Sequence, residues 1–216
     1  MNKRIKITLI RLVVFSATLS LGPTAGAQRD IGVGKVNVQR DVVPVVTRSQ
    51  DGESLNILKT AFSIHGRYRV ANSMQEASFA IQVDPVGSNL STLKIFSGIP
   101  ERLQYTTQVQ GESLRNSVLR AVDLAIYKTS GMRGFFGGKI AYVGELGRGM
   151  EIYFRDFLFG EGKRLTNHGV EAVRPRWSPD GNYIVYTSYL SGFPNIRRID
   201  IRGQRSEVMV DFKGTN

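Results

Sequence analysis

The sequence predicts an α+β N-terminal domain followed by an incomplete all-β propeller. The stretch Lys139–Val143 returns in similar form, 44 residues later, as Tyr183–Thr187. A period of about 40–45 residues that holds four short strands is typical of a propeller blade. The region before this repeat instead shows two helical patterns among several short strands. The two halves of the chain therefore predict two different architectures.

The first 27 residues predict an export signal. A basic start is followed by the largely apolar stretch Ile7–Leu21 and by Ala25-Gly26-Ala27, which fits the small-residue cleavage pattern. The alternative is a membrane anchor, but Arg11 interrupts the apolar run, which is shorter than the roughly 20 residues that span a bilayer. Residues 1–27 are therefore predicted to be removed. The mature protein is expected in the periplasm or outside the cell, without a transmembrane anchor.

Composition narrows the classes of partner. The chain has no cysteine and a net charge of +11, of which four basic residues leave with the signal. The remaining basic residues form no run longer than a pair, such as Arg197-Arg198. An exported chain with scattered charge is not expected to bind nucleic acid. Without disulfides, its core alone must hold it together.

Residues 28–134 are predicted to fold as one mixed domain. A helix begins at Asp51-Gly52-Glu53, and a longer helix covers Glu112–Lys128 with Gly131 as its C-terminal cap. Pro44 places the first strand towards an edge or a bulge, because proline cannot donate to a sheet ladder. The predicted strands are residues 42–46, 67–70, 78–83, 93–96 and 104–108.

Residues 138–216 are predicted to form the partial propeller. The expected strands are residues 139–143, 151–156, 163–166, 173–178, 183–188, 195–200 and 206–211. Fewer than two periods fit before Asn216, whereas closed propellers carry about four to eight blades. We therefore expect about two blades of a longer ring whose C-terminal part is missing. Trp177 is expected to pack between blades.

The candidate chemical motifs favour structure over catalysis. Ser178-Pro179-Asp180-Gly181 has the residues of a tight turn. His65 and His168 are the only histidines, and without cysteine they do not make a usual zinc site. Neither histidine follows the nucleophile-elbow pattern, and the glycines lack phosphate-loop spacing. We therefore predict no enzyme activity, no cofactor and no metal.

The order of these segments resembles TolB, the periplasmic protein of the Tol–Pal system. The junction resembles that family at Thr129–Phe136 and Lys139–Val143. The repeat resembles it at several stretches: Arg164–Asn167, Pro175–Gly181, Ile184–Ser188 and Gly192–Ile196. Resemblance is good over about 100 residues and weak over Gln28–Gly111. It implies a six-bladed propeller, of which about two blades are present here.

The resemblance implies an adaptor that binds two partners. TolB-like proteins bind the lipoprotein Pal through the propeller and switch to TolA through their mature N-terminal segment. They support outer-membrane integrity and constriction during cell division. The switch segment here would be Gln28, Arg29, Asp30, Ile31, Gly32 and Val33. The loop Val170–Arg174 lies where such propellers present residues to Pal, which makes Val173 and Arg174 candidate partner-binding residues.

A second interpretation remains open from the residues themselves. Similar repeats occur in the propeller module of exported peptidases and of carbohydrate-binding surface proteins. A Gly-x-Ser-x-Gly elbow in the same gene would favour a hydrolase. Further repeats followed by a stop would favour the adaptor.

Overall fold

The computed structural model describes residues 42–147, 149–202 and 205–211. The predicted signal peptide, residues 1–27, and the predicted switch segment Gln28–Val33 lie outside the described residues. Within the described part, no helix is both long enough and apolar enough to cross a membrane.

A five-stranded mixed sheet with two helices on one face comes first. Its elements are β1 (Val43–Arg48), α1 (Gly52–Ile64), β2 (Tyr68–Val70), β3 (Phe79–Pro85), β4 (Leu90–Ser97), β5 (Arg102–Gln110) and α2 (Leu114–Ser130). The sheet order is β2-β1-β3-β4-β5, in which β1 is parallel to both neighbours and the other pairs are antiparallel. The predicted strands and helices of this region are confirmed, with ends shifted by a few residues.

The edge position or bulge predicted for the first strand is wrong, because β1 lies inside the sheet and pairs with both neighbours without a register shift. Strand β1 lies between β2 and β3, although Pro44 is its second residue. The Pro44 carbonyl accepts a hydrogen bond from the Ser78 amide at 2.8 Å, and pairing with β3 begins only at Val45. In a β-strand, the amide nitrogen and the carbonyl of one residue point towards the same neighbouring strand. The amide hydrogen that proline lacks would therefore point to the β3 side at a position before β3 begins, so no ladder bond is lost.

The ends of both helices follow from local sequence. Asp51 caps α1 by accepting from the Ser54 amide at 2.7 Å, and Ser113 caps α2 by accepting from the Asn116 amide at 3.1 Å. Gly131 ends α2 in the left-handed conformation, with φ of 72°, and its amide donates to the Tyr127 carbonyl. Such a φ favours glycine because it has no Cβ, so the predicted cap is confirmed.

The main core lies between the helices and one face of this sheet. Its fully buried members include Leu58 and Phe62 from α1, Val122 from α2, and Ile81 and Leu93 from the sheet. A smaller cluster around Met74 and Ala80 covers part of the other face. Alternate residues of β3 thus contribute to opposite clusters, as the period of two in a strand requires.

Two antiparallel sheets follow α2. The first has the order β6 (Lys139–Leu146), β7 (Gly149–Asp156) and β8 (Gly162–Arg164). The second consists of β9 (Ala172–Trp177), β10 (Tyr183–Ser188), β11 (Asn195–Asp200) and β12 (Ser206–Val210), each paired with the next. The predicted strands of the repeat are confirmed. Closure into a propeller and its number of blades stay predictions.

The two sheets share one apolar cluster. Trp177 of β9 meets Phe154 of β7 edge to face, with ring centroids 6.4 Å apart. Ile152, Ile184 and Tyr186 are buried in the same cluster. Trp177 therefore packs between neighbouring sheets, as the sequence predicted.

The link between α2 and β6 is fixed onto the helix. The Asp123 carboxylate accepts from the amides of Phe136 and Gly137, both at 2.8 Å. A Cβ at Gly134 would stand 2.3 Å from the Asp123 carboxylate, so this close approach requires glycine. Phe136 is buried in the main core, and the ring of Phe157, beyond β7, lies 5.9 Å from it. The division into separate domains at residues 134–138 stays a prediction.

Candidate partner-binding site

Val173 and Arg174 lie at a β-bulge near the start of β9. Val173 pairs with Thr187 and Arg176 pairs with Val185, so β9 takes one residue more than β10 over this interval. Arg174 occupies the left-handed region with φ of 56°. For a residue other than glycine this conformation costs about 1–2 kcal/mol, and bulges commonly re-aim a side chain.

The bulge exposes the Arg174 side chain at the end of the second sheet. Pairing with β10 on both sides of Arg174 holds its strained backbone: Ala172 and Val173 are paired before it, and Arg176 is paired after it. Arg174 is exposed, and within the described ranges it forms no ion pair with a carboxylate. An unpaired cation on a fixed strained backbone is suited to contact a partner.

A buried carboxylate shapes the loop that leads into β9. Glu151 is 2% exposed and accepts from the amides of His168, at 2.8 Å, and Gly169, at 2.9 Å. The Thr166 hydroxyl also donates to Glu151. A Cβ at Gly149 would stand 2.7 Å from the backbone of Gly169, so this loop packs directly against β7. The loop that precedes the candidate site is therefore held in place against β7.

The ring of His168 extends this polar network across the second sheet. His168 Nε2 lies 3.0 Å from the Tyr186 hydroxyl, and the two rings stack with centroids 5.9 Å apart. The Tyr186 hydroxyl in turn lies 2.8 Å from Ser206 Oγ, to which Arg197 donates. Burial lowers the pKa of His168, as Arg197 also does, while Glu151 opposes the shift. The neutral imidazole is thus favoured.

Sequence reasoning missed an apolar surface beside Arg174. The loop between β10 and β11 exposes 37% of Tyr189, 49% of Leu190 and 58% of Phe193. We call these three residues the apolar tip. The Tyr189 amide donates to the Glu171 carbonyl at 2.9 Å, which places the tip at the same end of the sheet as Arg174. Three large apolar residues in a loop rich in Ser, Gly and Pro were the available signal.

The two histidines are apart and serve packing. His65 ends α1, and its ring stacks on Phe135 with centroids 5.7 Å apart. Burial lowers the pKa of His65, against the effect of Asp123. Among the described residues, no group of three or more His, Asp or Glu side chains is placed to hold a metal ion.

The Ser178–Gly181 segment forms the tight turn that its sequence predicts. The Ser178 hydroxyl donates to Asp180 at 2.5 Å, and the Gly181 amide donates to the Ser178 carbonyl at 3.0 Å. Gly181 has φ of 71°. The hydroxyl and the carboxylate therefore stabilise the turn and each other.

A groove lies between the start of α2 and the first antiparallel sheet. It has a volume of about 270 Å³, and its lining includes Glu112, Lys139, Phe154 and Lys163. Lys139 forms an ion pair with Glu112, and both lysine ammonium groups lie within 6 Å of the Phe154 ring centroid. Because charges of both signs line this groove, it does not indicate one class of charged ligand.

Comparison with known proteins reveals similarity to TolB. No family model matches the chain. The Tol-Pal system protein TolB of Roseobacter denitrificans is 27% identical over 151 residues, which cover 67% of this chain and 34% of that protein. TolB of Chromobacterium violaceum is 21% identical over 238 residues, covering 97% of this chain and 55% of that protein.

The fold shows the same similarity. The crystal structure of TolB from Acinetobacter baumannii superposes with a TM-score of 0.69 at 17% identity, covering 81% of this chain and 51% of that chain. The chain thus spans about a third to about half of the length of the relatives that it matches. Together these comparisons confirm the resemblance to TolB predicted from the sequence.

Proposed function

We propose that this TolB-like chain acts in the periplasm as an adaptor of the Tol–Pal cell-envelope system. In this role it binds the lipoprotein Pal and switches to TolA, and it supports outer-membrane integrity and constriction during cell division. The observation that carries the proposal is the similarity to Tol-Pal system TolB proteins over two thirds or more of the chain, together with a shared fold. The two antiparallel sheets are then blades of a six-bladed propeller.

The geometry around Arg174 supports binding through the end of the second sheet. An adaptor surface that is already ordered loses little conformational freedom when a partner docks. The loop before β9 is held by the buried Glu151, and Val173 is held by its pairing with Thr187. Arg174 can therefore offer its guanidinium to a partner carboxylate without rearrangement of the backbone.

The switch to TolA rests on the resemblance alone. The segment proposed for it, Gln28–Val33, lies outside the described residues. Its deletion is expected to alter the preference between Pal and TolA while leaving thermal stability nearly unchanged. A fall in melting temperature of more than about 5 °C would mean that the segment stabilises the fold instead.

The adaptor proposal is tested by direct binding to the soluble domain of Pal. Isothermal titration calorimetry with the full chain should show saturable binding, and Arg174→Glu should weaken it. Arg202→Glu is the matched control, because Arg202 is also exposed but follows β11 at the opposite end of the second sheet. Absence of binding by the folded wild type at physiological salt would refute the proposal.

A further inference from the structure

The apolar tip is a fixed loop. The Gly192 amide donates to the Tyr189 carbonyl at 2.9 Å, and Gly192 has φ of 85°. Asn195 donates to the Ser191 hydroxyl at 2.7 Å, and the Leu190 amide donates to the Ser188 hydroxyl at 3.3 Å. These bonds fix the loop in which Leu190 and Phe193 remain 49% and 58% exposed.

The charges beside the tip lie at the same end of the sheet. Arg174 re-aims outward at the bulge, and Glu171 pairs through its carbonyl with the backbone of Tyr189. Both side chains are exposed, and neither has a charged partner within the described residues. Among the described residues, the tip therefore forms an apolar centre with an unpaired cation, Arg174, and an unpaired anion, Glu171, at its rim.

This arrangement has the anatomy of a protein interface. Interfaces combine a desolvated apolar centre, enriched in aromatic residues, with a polar rim that fixes orientation. Tyr189 and Phe193 supply the aromatic groups, and Arg174 supplies a residue type that often dominates binding energy. Within the described residues, the side chains of the tip stay 37–58% exposed, and an exposed apolar patch commonly marks a site of interaction.

We propose that Leu190 and Phe193 are the main anchors for the Pal-type lipoprotein on this face, with Arg174 as the residue that sets orientation. The proposal rests on the adaptor function above and names the part of the surface that provides the affinity. The complementary surface of the partner then carries an apolar pocket for the two side chains and a carboxylate opposite Arg174. The anchors are thus specificity-determining residues that the sequence pattern did not identify.

The test compares two sets of variants of the full chain for binding to the soluble Pal domain. Leu190→Asn combined with Phe193→Asn removes the anchors. Phe159→Asn is the control, because Phe159 is also a phenylalanine and is 58% exposed like Phe193, but it lies in the turn after β7 of the other sheet. Its φ is 58°, which asparagine tolerates. Melting temperature and sedimentation are recorded for each protein.

We expect the double variant to raise Kd at least tenfold, since truncating a central anchor typically costs that much or more. The control variant should stay within about twofold of the wild type. Phe193→Leu should retain more binding than Phe193→Asn, because it keeps an apolar group.

Three results would overturn the proposal. If the wild type binds and the double variant binds equally well, the anchors are wrong while the adaptor function stands. If the wild type does not bind at all, the adaptor function fails and the anchors fail with it. If the tip instead mediates pairing of two copies of this chain, sedimentation will show a dimer that the double variant abolishes while Pal binding is unchanged.

Discussion

Asp156→Asn should destabilise the protein strongly, because this carboxylate connects α2 to the turn after β7. Its Oδ2 accepts from Arg115 Nε at 2.7 Å and from the Glu161 amide at 2.5 Å. Its Oδ1 accepts from the amides of Leu158, at 2.8 Å, and Gly160, at 3.0 Å. The side chains of Arg115 and Asp156 are only 17% and 7% exposed. Four donors from two parts of the chain thus converge on one buried carboxylate.

The expected magnitude follows from the donors that lose an acceptor. An asparagine amide replaces one oxygen by an NH₂ group, which leaves two of the four donors without an acceptor. Each such loss costs about 1–3 kcal/mol, and breaking a buried ion pair costs about 3–5 kcal/mol. Because Arg115 keeps partial access to water, we expect about 3 kcal/mol. For a domain of this size that lowers the melting temperature by roughly 6–12 °C.

Thermal and urea unfolding monitored by circular dichroism measure this loss. The control is Glu101→Gln, which removes an exposed pair with Arg48 (side chains 32% and 40% exposed) and should change the melting temperature by less than about 3 °C. Combining Asp156→Asn with Arg115→Met should cost less than the sum of the single changes, because it also removes the unpaired guanidinium. A single Asp156→Asn variant that melts within 2 °C of the wild type would refute the reasoning.

The same carboxylate predicts how stability depends on acid. Burial acts to raise the pKa of Asp156, but the Arg115 guanidinium and the amides of Gly160 and Glu161 outweigh it and hold the pKa below its ordinary value. The folded state therefore binds this proton less readily than the unfolded state. The stabilisation is complete above the ordinary carboxyl pKa of about 4 and is lost as pH falls through the lowered value.

Three further predictions concern the candidate site. Arg174→Gly should leave the melting temperature unchanged or slightly higher, since relief of the left-handed strain offsets the added freedom of the unfolded chain. Arg174→Val should lower the melting temperature by at least about 2 °C, because a β-branched side chain fits this conformation poorly. Equal melting temperatures for the two variants would contradict the proposed strain. Glu151→Gln should cost about 2 kcal/mol and speed hydrogen exchange at the His168 and Gly169 amides; unchanged exchange would mean that other contacts hold the loop. Because the pKa of His168 is lowered, the stabilisation by its neutral ring is complete above pH about 6.5 and is lost as pH falls through the lowered value. His168→Gln should therefore weaken the dependence of the melting temperature on pH below about 6.5. An unchanged dependence would mean that other groups cause it.

Local sequence was enough to predict most of the elements. Asp51 begins α1 and Gly131 ends α2 because a capping side chain or a left-handed φ acts within a few residues, whereas α2, predicted to start at Glu112, begins only after its cap Ser113. The 44-residue repeat predicted the strands of the two antiparallel sheets because strand and turn patterns also depend on residues close together in the chain. The hairpin of β9 and β10 closes through Ser178–Gly181, whose residues favour that turn.

Position within a sheet was not predictable in the same way. Pro44 suggested an edge or a bulge, yet β1 lies inside the sheet. Proline is tolerated there because pairing with β3 begins only at Val45. The extra residue at Arg174 is likewise defined only by its pairing with β10. Such features depend on where a second strand begins, and a single strand carries no record of that.

By itself, the sequence determined the element types, the start of α1, the end of α2, the repeat and the resemblance to TolB. Only the tertiary structure decided that Arg115 meets Asp156, 41 residues away, and that the apolar tip lies beside Arg174. The physical reason is range. Caps, turns and side-chain periodicity act between neighbours in the chain, whereas ion pairs and binding surfaces join residues that only packing brings together.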